Sequence, residues 1–199
     1  MATTGPPLLT SVRRVRRGRV ALEVDGRPWR TVPAEVAVGC GLAPGTELDR
    51  PLLRRLRRDL RRQEALDTAA KALARRDLSA RRLRERLEIR GIRAPAADRA
   101  VAALASAGLV DDERLARARA RSLVERGWGD AAISDRLERE GLPAPLVRTA
   151  LAELEPERER AIATAAAAQD ARVAWRLLAR RGYASESIED AIGVLDEGA

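Results

Sequence analysis

Two groups of residues in this sequence have types and spacing that could do chemistry: the run Asp111-Asp112-Glu113 and a dense series of arginines between residues 50 and 93. Adjacent carboxylates can contribute to a divalent-cation site, but this run would need further oxygen ligands from elsewhere in the chain. Its position just before a helical pattern explains it without a metal, because acidic side chains cap free helix amides and face the positive end of the helix dipole. Ser79 stands before residues 80–90 in the same way, although Ser79-x-x-Arg82 lacks the glutamate of a full capping box. Ser122 and Ser134 have no base nearby in sequence, and Cys40, between two glycines, reads as a small buried hydrophobe.

What is missing narrows the chemistry further. The chain has no histidine, no phenylalanine, one cysteine and a single lysine, Lys71. Zinc, haem and iron–sulfur arrangements lose their usual ligands, and triads lose their usual base. The lone lysine stands outside any phosphate-loop pattern. The expectation is a binding protein with no catalytic residues, no metal and no cofactor. Stacking of bases is not expected either. The aromatic residues are only Trp29, Trp128, Trp175 and Tyr183, with Trp175 and Tyr183 expected in the core.

Arginine remains. The formal charge of +8 is unevenly placed: residues 50–93 carry 16 basic and 6 acidic side chains, whereas residues 94–199 carry 15 and 19. Such asymmetry points to an acidic partner or to nucleic acid, single- or double-stranded, held through arginine–phosphate contacts. Arg54, Arg58, Arg81, Arg82 and Arg86 are the leading contact candidates. No apolar run is long enough to span a membrane, and no apolar segment precedes the charges at the N-terminus. With a single cysteine, the expected setting is the reducing cytoplasm, and the expected state is a monomer.

The elements that must position these arginines follow from periodicity. Residues 1–11 read as a loose tail, and residues 12–48 as a small module. Within the module Val20, Leu22 and Val24 alternate with Ala21 and Glu23, Asp25-Gly26 offers a hairpin turn, and Trp29 and Thr31 return. Pro33 can open a short helix through Val38. Residues 49–63 then read as a basic connecting helix, with Asp49 as cap and Leu52, Leu53, Leu56 and Leu60 on one face.

The rest is an internal repeat. LRERLEIRGI from Leu83, ISDRLEREGL from Ile133 and AWRLLARRGY from Ala174 share an apolar residue at the first position and leucine at Leu87, Leu137 and Leu178. Glycine follows four residues later, at Gly91, Gly141 and Gly182, where a helix needs a left-handed residue to stop. The register continues through Ala100, Ala150 and Ala191 and through Leu104, Leu154 and Leu195. A further helix precedes each segment, at 65–75, 114–125 and about 157–168. The fold class is therefore mostly α. Three tandem three-helix repeats, 64–110, 111–156 and 157–199, are expected to stack into an elongated curved body behind a small β-hairpin-containing N-terminal module.

Two short helices around a glycine turn also outline a helix-turn-helix, so a DNA-binding transcription regulator is the competing reading. A more specific pattern stands beside it. Residues 108–117, Gly-Leu-Val-Asp-Asp-Glu-Arg-Leu-Ala-Arg, followed by Arg126-Gly-Trp-Gly, Ile133, Leu137 and Gly141-Leu142, are similar to the central motif of RecX proteins. Arg76-Asp-Leu-Ser79 leading to Leu83, Leu87 and Gly91 resembles it again, and Leu115 stands where that family usually has an aromatic ring. The resemblance covers about residues 64–199. It implies a regulator, in the inhibitory sense, of the RecA recombinase that lies along the RecA–DNA filament. Recombination, ATP hydrolysis and the co-protease activity of the SOS response would be modulated without catalytic residues of its own.

Overall fold

The computed structural model describes residues 5–168 and 170–197, the side chains of 196 and 197 apart. Among the described residues the chain forms three strands and then ten helices: β1 (Leu9–Val15), β2 (Arg19–Val24), β3 (Arg27–Pro33), α1 (Ala34–Gly39), α2 (Arg50–Leu73), α3 (Ala80–Ile89), α4 (Ala94–Ser106), α5 (Asp112–Val124), α6 (Asp130–Arg139), α7 (Ala144–Ala152), α8 (Glu157–Ala165), α9 (Ala171–Arg180) and α10 (Ser185–Glu197). Two compact units emerge, one of Met1–Lys71 with Leu87–Ala100, the other of Ala72–Arg86 with Val101–Ala199.

In the first unit the expected hairpin is present: β2 pairs antiparallel with β3 across Asp25-Gly26, both at positive φ. The sheet has a third strand that the pattern did not announce. Residues 9–11 are not part of a loose tail; they begin β1, which pairs with β2 around a turn at Arg17-Gly18. Leu9 explains the correction, because its side chain is fully buried and its amide and carbonyl bond Thr46 and Gly45. Residues 1–4 of that tail lie outside the described residues. Pro33 ends β3 and caps α1, one residue before its expected place inside the helix.

Leu9, Val20, Leu22, Val32, Val36 and Leu48 form the core of this unit with Leu56 of α2, and Leu52, Leu53 and Leu60 pack around it. The Asp49 carboxylate accepts the Leu52 amide at 2.8 Å, so the expected cap is in place. The connecting helix does not stop at 63. Between Pro51 and Gly91 no proline or glycine interrupts the helical pattern, and α2 runs unbroken for 24 residues into the segment expected to start a separate helix at 65.

In the second unit two three-helix clusters carry their own cores. Leu115, Ala116, Leu123, Ile133, Leu137 and Val147 join α5, α6 and α7. Ala161, Ala165, Leu178, Tyr183 and Ile188 join α8, α9 and α10. The register of the repeats is exact at the turns. The amides of Ile92, Leu142 and Tyr183 donate to the carbonyls of Leu87, Leu137 and Leu178 at 3.0, 3.1 and 3.2 Å. The glycine before each has φ of +81, +85 and +75, and bonds one turn back. This is the double closure of a Schellman motif, which leaves few helix carbonyls unsatisfied.

Tyr183 is buried as expected, but Trp175 is 42% exposed, which corrects its assignment to the core. Ala174 takes the inward position equivalent to Leu83 and Ile133, and the next residue lies about 100° further round the helix.

Candidate functional site

The arginine surface of the first unit is built by α2. Leucine at 52, 53, 56 and 60 commits one face of that helix to the sheet core, and the arginines between them stand on its other faces. Arg54, Arg58 and Arg62 form one row at four-residue spacing and Arg57 and Arg61 a second, all exposed. They line one side of a cavity of about 750 Å³. Arg93, Pro95, Ala96 and Arg99, from the start of α4 and the turn before it, line the other side.

The electrostatics of this cleft are one-sided. Its single carboxylate, Asp59, pairs with Arg58 at 3.5 Å and with Arg55 at 3.9 Å. Arg54, Arg57, Arg61, Arg62, Arg93 and Arg99 engage no acidic side chain among the described residues. The N-terminus of α4 adds the partial positive charge of a helix end. Like charges gathered this way repel one another unless an anion joins them, and guanidinium forks meet phosphate or carboxylate in paired hydrogen bonds.

The five arginines expected to make contact divide into two sets. Arg54 and Arg58 line the cleft. Arg81, Arg82 and Arg86 sit on α3 and are not among its lining residues. Arg81 pairs with Glu85 at 3.0 Å, and Arg82 pairs with Glu85 at 2.8 Å and donates to the Arg139 carbonyl. The hydrogen bonds from Arg82, then Arg81, hold the Glu85 carboxyl below the ordinary glutamate range. Arg86 is partly buried. Sequence alone could not rank these residues, because a charge count does not show which guanidinium already has a partner.

The acidic run is structural. Asp111 caps α5 by accepting the Arg114 amide at 2.9 Å, and Asp112 accepts the Ala80 amide at the start of α3 at 2.8 Å. Glu157, first in α8, does the same for Asp130 at the start of α6, at 2.6 Å, and also accepts from Ala184 and Ser187. Ser79 is buried and donates to the Glu140 carbonyl at 2.7 Å, so it too holds structure.

A second buried device escaped the sequence reading. Arg160 is only 5% exposed, donates to the carbonyls of Glu155 and Trp128, and pairs with Asp130. Nothing in its spacing distinguishes it from the exposed arginines around it.

Residues 111–151, which run from the cap of α5 to the last turn of α7, match the profile described as the second three-helix domain of RecX. The regulatory protein RecX of Halorhodospira halophila is 32% identical over 142 residues, 66% of this chain and 88% of that protein. The chain belongs to the RecX family. The RecX of Syntrophotalea carbinolica is 36% identical over 98 residues, 48% of this chain and 63% of that one. Two solved RecX structures share the fold. One, a regulatory protein RecX, covers 92% of this chain and 97% of its own length with a TM-score of 0.77 at 19% identity. The other, from Lactobacillus salivarius, covers 68% and 97% with a TM-score of 0.62 at 16% identity. The fold is thus one this chain shares with solved RecX proteins, and no helix among the described residues is long and apolar enough to cross a membrane.

Proposed function

We propose that this RecX protein regulates the RecA recombinase, in the inhibitory sense, by binding along the RecA–DNA filament in the cytoplasm as a monomer. The observation that carries this reading is the match to a regulatory protein RecX across 88% of that relative's length. The surface chemistry supports action by binding rather than catalysis, since the cleft is lined mainly by guanidiniums and its one carboxylate, Asp59, is paired with Arg58 and Arg55. Arg54, Arg58, Arg81, Arg82 and Arg86 are the proposed contacts to filament or DNA, and the unpaired Arg54 is the foremost of them. Binding of this kind would modulate recombination, DNA-dependent ATP hydrolysis and the co-protease activity behind the SOS response.

The test is RecA turnover. Purified full-length chain is added to the host RecA on single-stranded DNA with ATP, below one copy per RecA subunit, and hydrolysis is followed. Slowed hydrolysis with no ATPase or nuclease activity of the chain alone is the expected result. Unchanged RecA turnover at saturating protein would overturn the proposal, and sequence-specific duplex binding indifferent to RecA would favour a transcription regulator instead.

A further inference from the structure

We infer that the cleft between the arginine face of α2 and the start of α4 is an autonomous, sequence-independent binding site for the backbone of duplex DNA. The inference concerns the first unit alone and does not depend on the recombinase reading.

Charge and geometry carry it together. Seven guanidiniums and one carboxylate line the cleft, and six of the seven have no acidic partner among the described residues. Arg54 to Arg62 spans about 12 Å along the helix axis at 1.5 Å per residue. With the duplex axis along α2, each strand advances about 3.4 Å per phosphate, so this row spans the axial length of roughly three to four phosphates of the nearer backbone ridge. Arg93 and Arg99 close on the same ridge from the other side, where the free amides at the start of α4 add to the field.

The lining also decides against the other nucleic-acid form. It contains no aromatic residue, only arginine, Asp59, Pro95 and Ala96. Unpaired strands are held largely by stacking bases on rings, which this cleft does not offer. A duplex hides its bases and shows its phosphates, and contacts to phosphate position a protein without reading sequence. Arg81 and Arg82, by contrast, share the carboxylate of Glu85.

The experiment is fluorescence anisotropy of labelled duplex with the full-length chain and no recombinase, repeated over a range of salt. Neutralising three to four phosphates gives a slope of log affinity against log salt of about −3, and two unrelated duplex sequences should bind alike within about threefold. The variant Arg57→Gln/Arg61→Gln/Arg62→Gln removes three exposed charges. It should lower affinity by about tenfold or more and flatten the slope, with an unchanged circular dichroism spectrum and melting curve. Arg57→Lys/Arg61→Lys/Arg62→Lys retains the charges and should keep most of the slope. Removal of the same number of charges on α9, by Arg172→Gln/Arg176→Gln/Arg180→Gln, is the control and should change affinity by less than about threefold.

Equal loss from the α9 control would overturn the proposal by showing that only net charge matters. Single strands bound about tenfold more tightly than duplex, or tripolyphosphate bound in the cleft with no duplex binding, would overturn the assignment of the ligand. Because RecA is absent from this assay, its failure leaves the regulator proposal standing, and failure of the ATPase test leaves this one standing.

Discussion

A β-carbon placed on Gly129 would lie 2.4 Å from the carbonyl oxygen of Gly182, a separation that side chains do not tolerate. The two glycines bring the start of α6 against the end of α9, and the Gly129 amide donates to the Arg181 carbonyl at 2.9 Å. The obstructing atoms, the Gly182 carbonyl and the Tyr183 amide nitrogen, are backbone, so a neighbouring rotamer cannot relieve the clash. Gly129→Ala should lower the urea midpoint by the equivalent of about 1–3 kcal/mol, the range for overpacked sites. A midpoint equal to that of the parent would show that the contact is loose.

The pairing of Arg160 with Asp130 makes an asymmetric prediction. Removing Asp130 leaves a buried guanidinium without its counter-charge, which costs about 3–5 kcal/mol in buried pairs, less here because Asp130 is partly exposed. Replacing Arg160 by methionine removes the buried charge as well and leaves the aspartate at the surface. Chemical denaturation should therefore rank Asp130→Ala as more damaging than Arg160→Met, and the reverse order would contradict this account.

Cys40 gives a reactivity test. Burial first, and then the hydrogen bond to Asp59 at 3.5 Å, push its thiol above the ordinary value. Iodoacetamide should label the native chain far more slowly than the chain in urea. The pH dependence has a definite sign, since the folded state favours the protonated thiol. The stabilising contribution is complete below the ordinary thiol pKa and is lost as pH rises through the folded one. Native labelling as fast as that of the unfolded chain would contradict the raised value.

Glu85 tests whether α3 is electrostatically self-contained. Its carboxyl titrates below the ordinary glutamate range, so the pairing is present above that range and is lost as pH falls through the lowered value. In carboxyl NMR titrations Arg82→Ala should move the Glu85 midpoint back up, more than Arg81→Ala does. If neither substitution moves it, Arg81 and Arg82 are freer for partners than their geometry shows.

Much of this protein was legible in its sequence because the decisive interactions are local. Leu87, Leu137 and Leu178 are buried where their spacing put them, and the glycines after them close helices by bonds to residues a few positions away. Asp25-Gly26 makes its hairpin for the same reason. Burial of Leu9 was less visible, because its strand alternates poorly and is fixed by Thr46 and Gly45 from far along the chain.

The tertiary structure alone decided which arginines are available. A sequence shows sixteen basic residues between 50 and 93 as equivalents. Only the fold places Arg93 and Arg99 opposite Arg54, Arg57, Arg58, Arg61 and Arg62, binds Arg82 to the Arg139 carbonyl, and buries Arg160 against Asp130. Helical periodicity links residues three or four apart, whereas Glu157 caps the Asp130 amide across 27 residues and Gly129 meets Gly182 across four helices and their turns. Those contacts follow from how the helices pack, and one-dimensional spacing carries no record of that.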